Sequence, residues 1–117
     1  MESTGYPDVK INNTTPFNAN GKVEYRSFVC SDDNYGVGGH QRWSNSRGLC
    51  LITRITATVQ TPQGNVNASS YDSDGTSYSN FAIIQTGPLE FAVTRVVDGK
   101  QDLPPADYVE PTAKQKD

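Results

Sequence analysis

The sequence lacks long hydrophobic runs and a strong charge of either sign. No apolar stretch approaches the about 18 residues that a membrane-spanning helix needs, so a transmembrane segment is not expected. The 117 residues carry 13 acidic and 10 basic side chains, which gives a net charge of −3. With a pI of about 5.0, the basic surface of a nucleic-acid-binding domain is excluded. Residues 1–8 are too polar for a secretory signal peptide.

Residues that carry out catalysis are also scarce. His40 is the only histidine, so a Ser–His–Asp or Cys–His arrangement would have to use it. The sequence contains no Gly-x-Ser-x-Gly motif and no glycine-rich phosphate loop. Only three glutamates lie beyond the first few residues, which leaves little for paired-carboxylate chemistry. We therefore expect a protein that is not an enzyme and that requires no cofactor.

Large aliphatic residues are few, and those present favour strands. Hydrophobic residues make up 34% of the chain, enough for one small domain with a thin core. Ten valines, five isoleucines, eleven threonines and six tyrosines outweigh the helix formers. No segment has helical apolar spacing, and turn residues recur every eight to twelve positions. The sequence predicts an all-β fold, an antiparallel β-sandwich of six to eight strands.

Alternation of apolar and polar residues locates the strands. A short first strand opens with Val9 and Ile11 and ends at an Asn–Asn pair, and Gly87-Pro88 is predicted to join two strands as a hairpin. The other predicted strands cover residues 22–29, 51–60, 65–71, 81–86 and 89–97. The predicted core consists of Val23, Tyr25, Ile55, Ala57, Val59, Ile83, Phe91 and Val93.

The composition changes after Gly99. Residues 101–117 hold three of the seven prolines and end in a charged run. We predict one domain over residues 1–100, followed by a flexible or arm-like tail over residues 101–117. An arm of this kind could pack on a neighbouring subunit.

The two cysteines, Cys30 and Cys50, flank predicted strands. A disulfide between them would close a loop of about 20 residues and stabilise the domain by roughly 3 kcal/mol. The alternative is two free, buried cysteines in a cytosolic protein. A zinc site is disfavoured because only His40 could join them. The disulfide and three Asn-x-Ser/Thr sequences favour an extracellular or surface location, with a cytoplasmic one left open.

Residues 30–50 are predicted to form a long loop with the features of a sugar-binding site. Such loops are usually functional when they exceed 12–15 residues. Acidic and amide side chains hydrogen-bond to hydroxyls, and a flat aromatic ring supports the apolar face of a sugar. The expected ligand-binding residues are Asp32, Asp33, Asn34, Tyr35, Arg42, Trp43 and Arg47. The alternative is that Trp43 fills the core beneath the disulfide and that residues 32–34 form a turn.

A second acidic segment, residues 72–75, reads Asp-Ser-Asp-Gly. Asp72 and Asp74 could bind calcium, with Asp32 and Asp33 completing the site if the two segments meet. The alternative is a turn rich in Asp, Ser and Gly, which needs no metal.

Three functions follow, in order of preference. The first is a non-catalytic, lectin-like module that binds carbohydrate or a glycoconjugate and gains avidity as a homo-oligomer. The second is a structural or assembly subunit whose C-terminal arm adds to a neighbour. The third is a small membrane-interacting, toxin-like β protein, which a single tryptophan disfavours.

Overall fold

The computed structural model describes residues 6–26, 30–76, 78–97 and 100–102. Within these residues the chain forms eleven strands and no helix, which confirms the all-β prediction. The strands are β1 Val9–Asn13, β2 Ala19–Tyr25, β3 Asp33–Val37, β4 Arg42–Asn45, β5 Ile52–Ile55, β6 Thr58–Thr61, β7 Gly64–Asn67, β8 Tyr71–Thr76, β9 Asn80–Gly87, β10 Glu90–Val97 and β11 Lys100–Asp102. The strands are shorter and more numerous than the six to eight expected. The described part of the chain holds no helix that could cross a membrane.

The strands form two sheets that pack as a sandwich. The first sheet has the order β11-β10-β9-β1-β4, and its one parallel pair is β1 with β9. The second sheet has the order β7-β6-β2-β5-β8, with β3 on the other edge of β2. Each sheet turns one face toward the other, because alternate side chains of a strand point to opposite faces.

The core lies between the two sheets and contains every predicted core residue. Val23, Ile55, Val59 and Ile83 have no exposed surface. Among the described residues, the buried hydrophobic residues that form the core cluster are Val9, Ile11, Ala19, Val23, Tyr25, Tyr35, Val37, Ile52, Ile55, Ala57, Val59, Tyr71, Phe81, Ile83, Phe91 and Val93. The prediction of the core from alternating apolar residues is therefore confirmed.

Several strand predictions are confirmed closely. β1 begins at Val9 and ends at the Asn–Asn pair, as expected. β9 and β10 pair as an antiparallel hairpin around Pro88, where Leu89 takes a positive φ of 56°. β2 is shifted toward the N-terminus of the strand predicted at 22–29, and residues 27–29 of that prediction lie outside the described residues.

The single strand predicted over residues 51–60 is wrong, because the chain bends at Thr56 and forms β5 and β6. The Thr56 carbonyl accepts a 2.6 Å hydrogen bond from the Tyr35 hydroxyl, and the Thr56 amide donates to the Lys22 carbonyl. The Thr56 carbonyl also lies so close to Gly21 that a Cβ on Gly21 would be 2.0 Å from the Thr56 oxygen. A tertiary contact, not the local sequence, thus sets the bend.

Residues 72–75 form a strand, not the turn that their composition suggested. β8 pairs with β5 through a shifted register between Ile52 and Arg54, and Gly75 takes a φ of +122°. The Ser73 hydroxyl donates 2.6 Å to the Ile52 carbonyl and accepts from the Gly75 amide. Gly75 and Ser73 are therefore part of a bulged strand. Glycine is typical of bulges as well as of turns, so the composition did not distinguish the two.

Residues 30–50 are also corrected, since β3 and β4 occupy much of the predicted loop. β3 is the edge of the second sheet beside β2, and β4 is the edge of the first sheet beside β1. At the other end of the chain, β11 crosses the boundary predicted at residue 100, so the sheet extends to Asp102. The remainder of the predicted tail lies outside the described residues.

A short bridge joins the two sheets at the edge of β10. Ser69 stands between β7 and β8, its amide donates 2.8 Å to the Phe91 carbonyl, and its carbonyl accepts 2.9 Å from the Val93 amide. The outer edge of β10 is therefore occupied by Ser69 at these positions.

Candidate functional site

Cys30 and Cys50 form a disulfide, as expected. Their Cα atoms are 6.0 Å apart and they are 20 residues apart in sequence. No free cysteine is present. The bond fastens the chain just before β3 to the chain just before β5. It therefore holds residues 30–50, where the sequence places its binding residues, at both ends.

The side chains of Tyr35 in β3 and Trp43 in β4 are in contact. Their ring centroids lie 5.4 Å apart with an interplanar angle of 38°. Trp43 is half-buried and packs against the core, while Tyr35 is buried and donates to the Thr56 carbonyl. Burial raises the pKa of the Tyr35 hydroxyl. Part of the Trp43 ring therefore packs against the protein. This position is nearer to the alternative expectation, in which Trp43 fills the core, than to an open platform for a sugar.

Arg42 and Trp43 point to opposite faces of β4. Trp43 stands opposite Ile11 of the core, whereas Arg42 stands opposite the exposed Asn12. Neighbouring strand residues cannot face the same way, so these two side chains do not converge on one ligand.

The acidic end of β3 makes contacts within the protein. Asp33 accepts a 2.6 Å hydrogen bond from the Tyr25 hydroxyl. Burial, with the hydrogen bond to Asp33 second, raises the pKa of Tyr25. The exposed Asp32 lies 4.0 Å from the Lys22 ammonium, and Asn34 is exposed. Of the three residues, Asp32 and Asn34 face solvent.

Arg47 is buried and holds separate segments together. Its guanidinium donates to the carbonyls of Pro7 at 3.1 Å, Thr76 at 3.2 Å and Tyr78 at 3.0 Å, and to the Ser79 hydroxyl at 2.7 Å. Burial lowers the pKa of this group. These contacts give Arg47 a structural role in place of the ligand contact that the sequence suggested.

The two acidic segments lie far apart in the second sheet. Asp33 stands opposite Val23, Val23 opposite Ile55, and Ile55 opposite Tyr71. Three strand spacings, about 14 Å, therefore separate Asp33 from the start of β8, far more than the 2.3–2.6 Å of a calcium ligand.

The carboxylate of Asp72 already has partners. It receives Arg54 Nε at 2.6 Å and the Ser70 hydroxyl at 2.8 Å, and Asp74 is exposed further along β8. The hydrogen bond to Asp72 raises the pKa of Arg54. Among the described residues, no three of the His, Cys, Asp and Glu side chains come together as a metal site.

An open pocket of about 310 Å³ lies beside the disulfide. It is lined by Arg26, Cys30, Leu49, Cys50 and Leu51. Leu49 is 69% exposed, a large fraction for an aliphatic side chain, and Leu51 and both cysteines are half-buried. The walls are therefore mainly apolar and reach solvent.

The ends of three strands build this pocket. Arg26 follows β2 and donates its amide to the Leu51 carbonyl at 2.8 Å, just before β5. Gly75 of β8 stands against both, since a Cβ there would lie 3.2 Å from Arg26 Cδ and 3.6 Å from Leu51 Cβ. The Arg26 side chain thus lies over a glycine, with Cδ and one guanidinium nitrogen near the position that a Cβ would take, and the residue as a whole is exposed.

Leu49 owes its position to the turn that precedes the disulfide. The Cys50 amide donates 3.0 Å to the carbonyl of the buried Arg47, and Gly48 takes a φ of +55°. The turn is anchored on one side by Arg47 and on the other by the disulfide, so Leu49 projects outward. Sequence reasoning missed Arg26, Leu49 and Leu51. A leucine between glycine and a disulfide cysteine is the signal that could have indicated Leu49.

Comparisons with known proteins place the fold and nothing more. No family model matches the chain, and no curated protein matches it. A protein from Eubacterium rectale, with a structure determined by NMR, is similar to it with a TM-score of 0.56 at 14% identity. The alignment covers 92% of this chain and 98% of the other. The chain therefore shares its overall architecture with that protein.

Proposed function

We propose that this protein is a non-catalytic binding module and that its site is the pocket beside the Cys30–Cys50 disulfide. The observation that carries the proposal is the pocket itself, with an exposed leucine at its rim and an arginine in its lining. Small-ligand sites are concave and mostly apolar, with a few polar groups that fix orientation. A disulfide is also compatible with an extracellular or surface location.

The lining indicates the chemistry of the ligand. Neither ion pair among the described residues involves Arg26, so its guanidinium can pair with an anion from solution. Leu49, Leu51 and the disulfide offer an apolar surface next to that charge. The ligand class is therefore a small carboxylate with an apolar face. At about 310 Å³ the pocket lies at the small end of ligand sites, a size that suits one sugar ring or a short acid.

Two sources could supply such a carboxylate. A sugar acid combines a carboxylate with the apolar face of its ring, and it keeps the carbohydrate ligand expected from the sequence. A short aliphatic acid has the same two features without hydroxyls. Both would place the carboxylate on Arg26 and the apolar part against Leu49. In this proposal Asp32 and Trp43 lie outside the binding site.

An NMR titration of the isotope-labelled protein tests the proposal and separates the two sources. Glucuronate, glucose, hexanoate and hexanol are added in turn up to millimolar concentration. We expect shift changes at Arg26, Leu49 and Leu51 with at least one acid and weaker changes with its neutral counterpart. Changes centred on Trp43 and Asp32 would overturn the proposal in favour of the site expected from the sequence. An absence of changes with all four compounds would overturn it as well.

Variants sharpen the test. Arg26→Gln should remove the preference for the acid over its neutral counterpart, because it removes the charge and keeps the stem. Leu49→Asn should weaken binding of both. Arg42→Gln is the matched control, since Arg42 is an exposed arginine on the first sheet, and it should leave binding unchanged.

A further inference from the structure

The Cys30–Cys50 disulfide forms part of the pocket wall. Both cysteines line the pocket, and both are half-buried at the edge of the core cluster. The pocket is open to solvent, since its lining includes Leu49, which is 69% exposed. A thiolate must reach a disulfide sulfur directly in order to react with it, so access controls the rate of exchange. A small thiol that enters the pocket therefore meets this bond while the protein stays folded.

The charge of the lining favours thiols that carry a negative group. Among the described residues that line the pocket, Arg26 alone is charged. The two acidic residues that follow the first cysteine have partners of their own. Asp32 lies 4.0 Å from the Lys22 ammonium. Asp33 accepts a hydrogen bond from the Tyr25 hydroxyl. A cation near a disulfide attracts an anionic reagent and stabilises the thiolate that leaves.

The two sheets are held together by contacts that do not involve the disulfide. Val23 and Ile55 stand opposite each other in β2 and β5 and have no exposed surface. The turn before β5 keeps its hydrogen bond from the Cys50 amide to the Arg47 carbonyl. Neither contact needs the bond between the sulfurs, so we expect the folded protein to persist when the disulfide is opened.

We infer that the Cys30–Cys50 disulfide exchanges with small thiols that carry a carboxylate and that enter through the pocket. The thiolate attacks Sγ of one cysteine, the Sγ–Sγ bond breaks, and the other cysteine leaves as a thiolate that takes up a proton. The products are one mixed disulfide and one free cysteine thiol, so no further oxidant or reductant is consumed. The inference rests on the proposed function in that both use the pocket and the charge of Arg26.

Exchange in the folded, full-length protein tests the inference. The protein is incubated with 3-mercaptopropionate or with 2-mercaptoethanol, and mass spectrometry follows the initial rate at which one thiol is added. Each rate is divided by the rate of the same thiol with a small neutral disulfide, which cancels the reactivity of the thiol itself. We expect the charged thiol to have the larger ratio by about two- to fivefold, the effect of an exposed ion pair. Equal ratios, or no addition, would overturn the inference.

Variants at one position assign the preference to its charge. Arg26→Gln should bring the two ratios together, whereas Arg26→Lys should keep them apart because it keeps the charge. Arg42→Gln is the matched control, since Arg42 is also an exposed arginine but lies in β4 of the first sheet, and it should keep the preference. A preference that survives Arg26→Gln would overturn the inference.

Urea separates exchange through the pocket from exchange after unfolding. Low concentrations of urea raise the unfolded population steeply while most of the protein stays folded. Exchange through the pocket should therefore have nearly the same rate with and without low urea. A rate that rises in proportion to the unfolded population would show that the bond is reached only by unfolding, and it would overturn the inference.

Failure of this inference and failure of the proposed function give different results. The acids of the NMR titration carry no thiol, so their failure to bind overturns the proposed function whatever the exchange rates are. If those acids bind but no thiol is added to the folded protein, only the exchange inference is overturned.

Discussion

The Tyr25 hydroxyl donates a 2.6 Å hydrogen bond to Asp33 Oδ2, and this bond joins β2 to β3 near the disulfide. Tyr25 is only 9% exposed, so the bond is shielded from water on the tyrosine side. We expect Tyr25→Phe to lower the free energy of unfolding by about 1.5–3 kcal/mol, as for hydrogen bonds to a charged group. Urea denaturation measures this value. Asn34→Ala is the control at an exposed neighbour, and an equal effect of both changes would show that the bond contributes nothing.

Stability should fall at alkaline pH because of buried tyrosines. Burial raises the pKa of Tyr25 and of Tyr35 above the ordinary value of 10.0. Between the unfolded and the folded pKa, the folded state binds more protons than the unfolded state, so the free energy of unfolding decreases as pH rises above about 10. Tyr25→Phe should make this decrease shallower. Denaturation curves from pH 8 to pH 11 on both proteins test the prediction, and parallel curves would contradict it.

Arg47 should be among the residues least tolerant of substitution. Arg47→Ala would leave the carbonyls of Pro7, Thr76 and Tyr78 without this donor. Losing a buried hydrogen-bond network is one of the mechanisms that cost about 3 kcal/mol or more. Thermal unfolding should show a far lower Tm for this variant, while Arg42→Ala on the surface should change stability by less than about 0.5 kcal/mol. Similar effects of the two variants would contradict the structural role of Arg47.

The architecture was predictable because a strand with one buried face has apolar residues at every second position. Val23 and Tyr25 alternate with charged residues, Phe91 and Val93 occupy every second position of β10, and all four residues lie in the core. The cysteines could be paired because each lies beside a strand. The number of strands could not be predicted, since the bend at Thr56 depends on Tyr35, which is 21 residues away.

The candidate site was less predictable, since residue type does not reveal environment. Arg47 and Arg26 look alike in the sequence, yet the first is 6% exposed and holds the fold together, while the second lines a pocket. Asp72 resembles a calcium ligand until β5 places Arg54 beside it. Which arginine or aspartate meets a ligand depends on the pairing of strands, and local patterns do not record that pairing.

The disulfide should contribute both stability and the shape of the pocket. Replacing Cys30 and Cys50 together with alanine removes a link across 20 residues, and we expect a loss of roughly 3 kcal/mol from the greater entropy of the unfolded chain. Urea denaturation of the variant measures the loss. A thiol assay on unreduced, denatured wild-type protein should find no free thiol. Two thiols per chain would contradict the bond itself.

Gly75 in β8 lies against Arg26 and Leu51, two residues that line the pocket. Its φ of +122° is one that side chains rarely adopt, and a Cβ would lie 3.2 Å from Arg26 Cδ. Gly75→Ala should therefore lower the free energy of unfolding by about 1–3 kcal/mol through backbone strain and shift the NMR signals of Arg26. Gly36→Ala is the matched control. Gly36 is also a strand glycine, but a Cβ there meets nothing within 4 Å, so alanine should be neutral or stabilise by up to about 1 kcal/mol. If both variants are equally stable, the bulge tolerates a side chain, and Gly75 cannot be what holds the Arg26 stem in place.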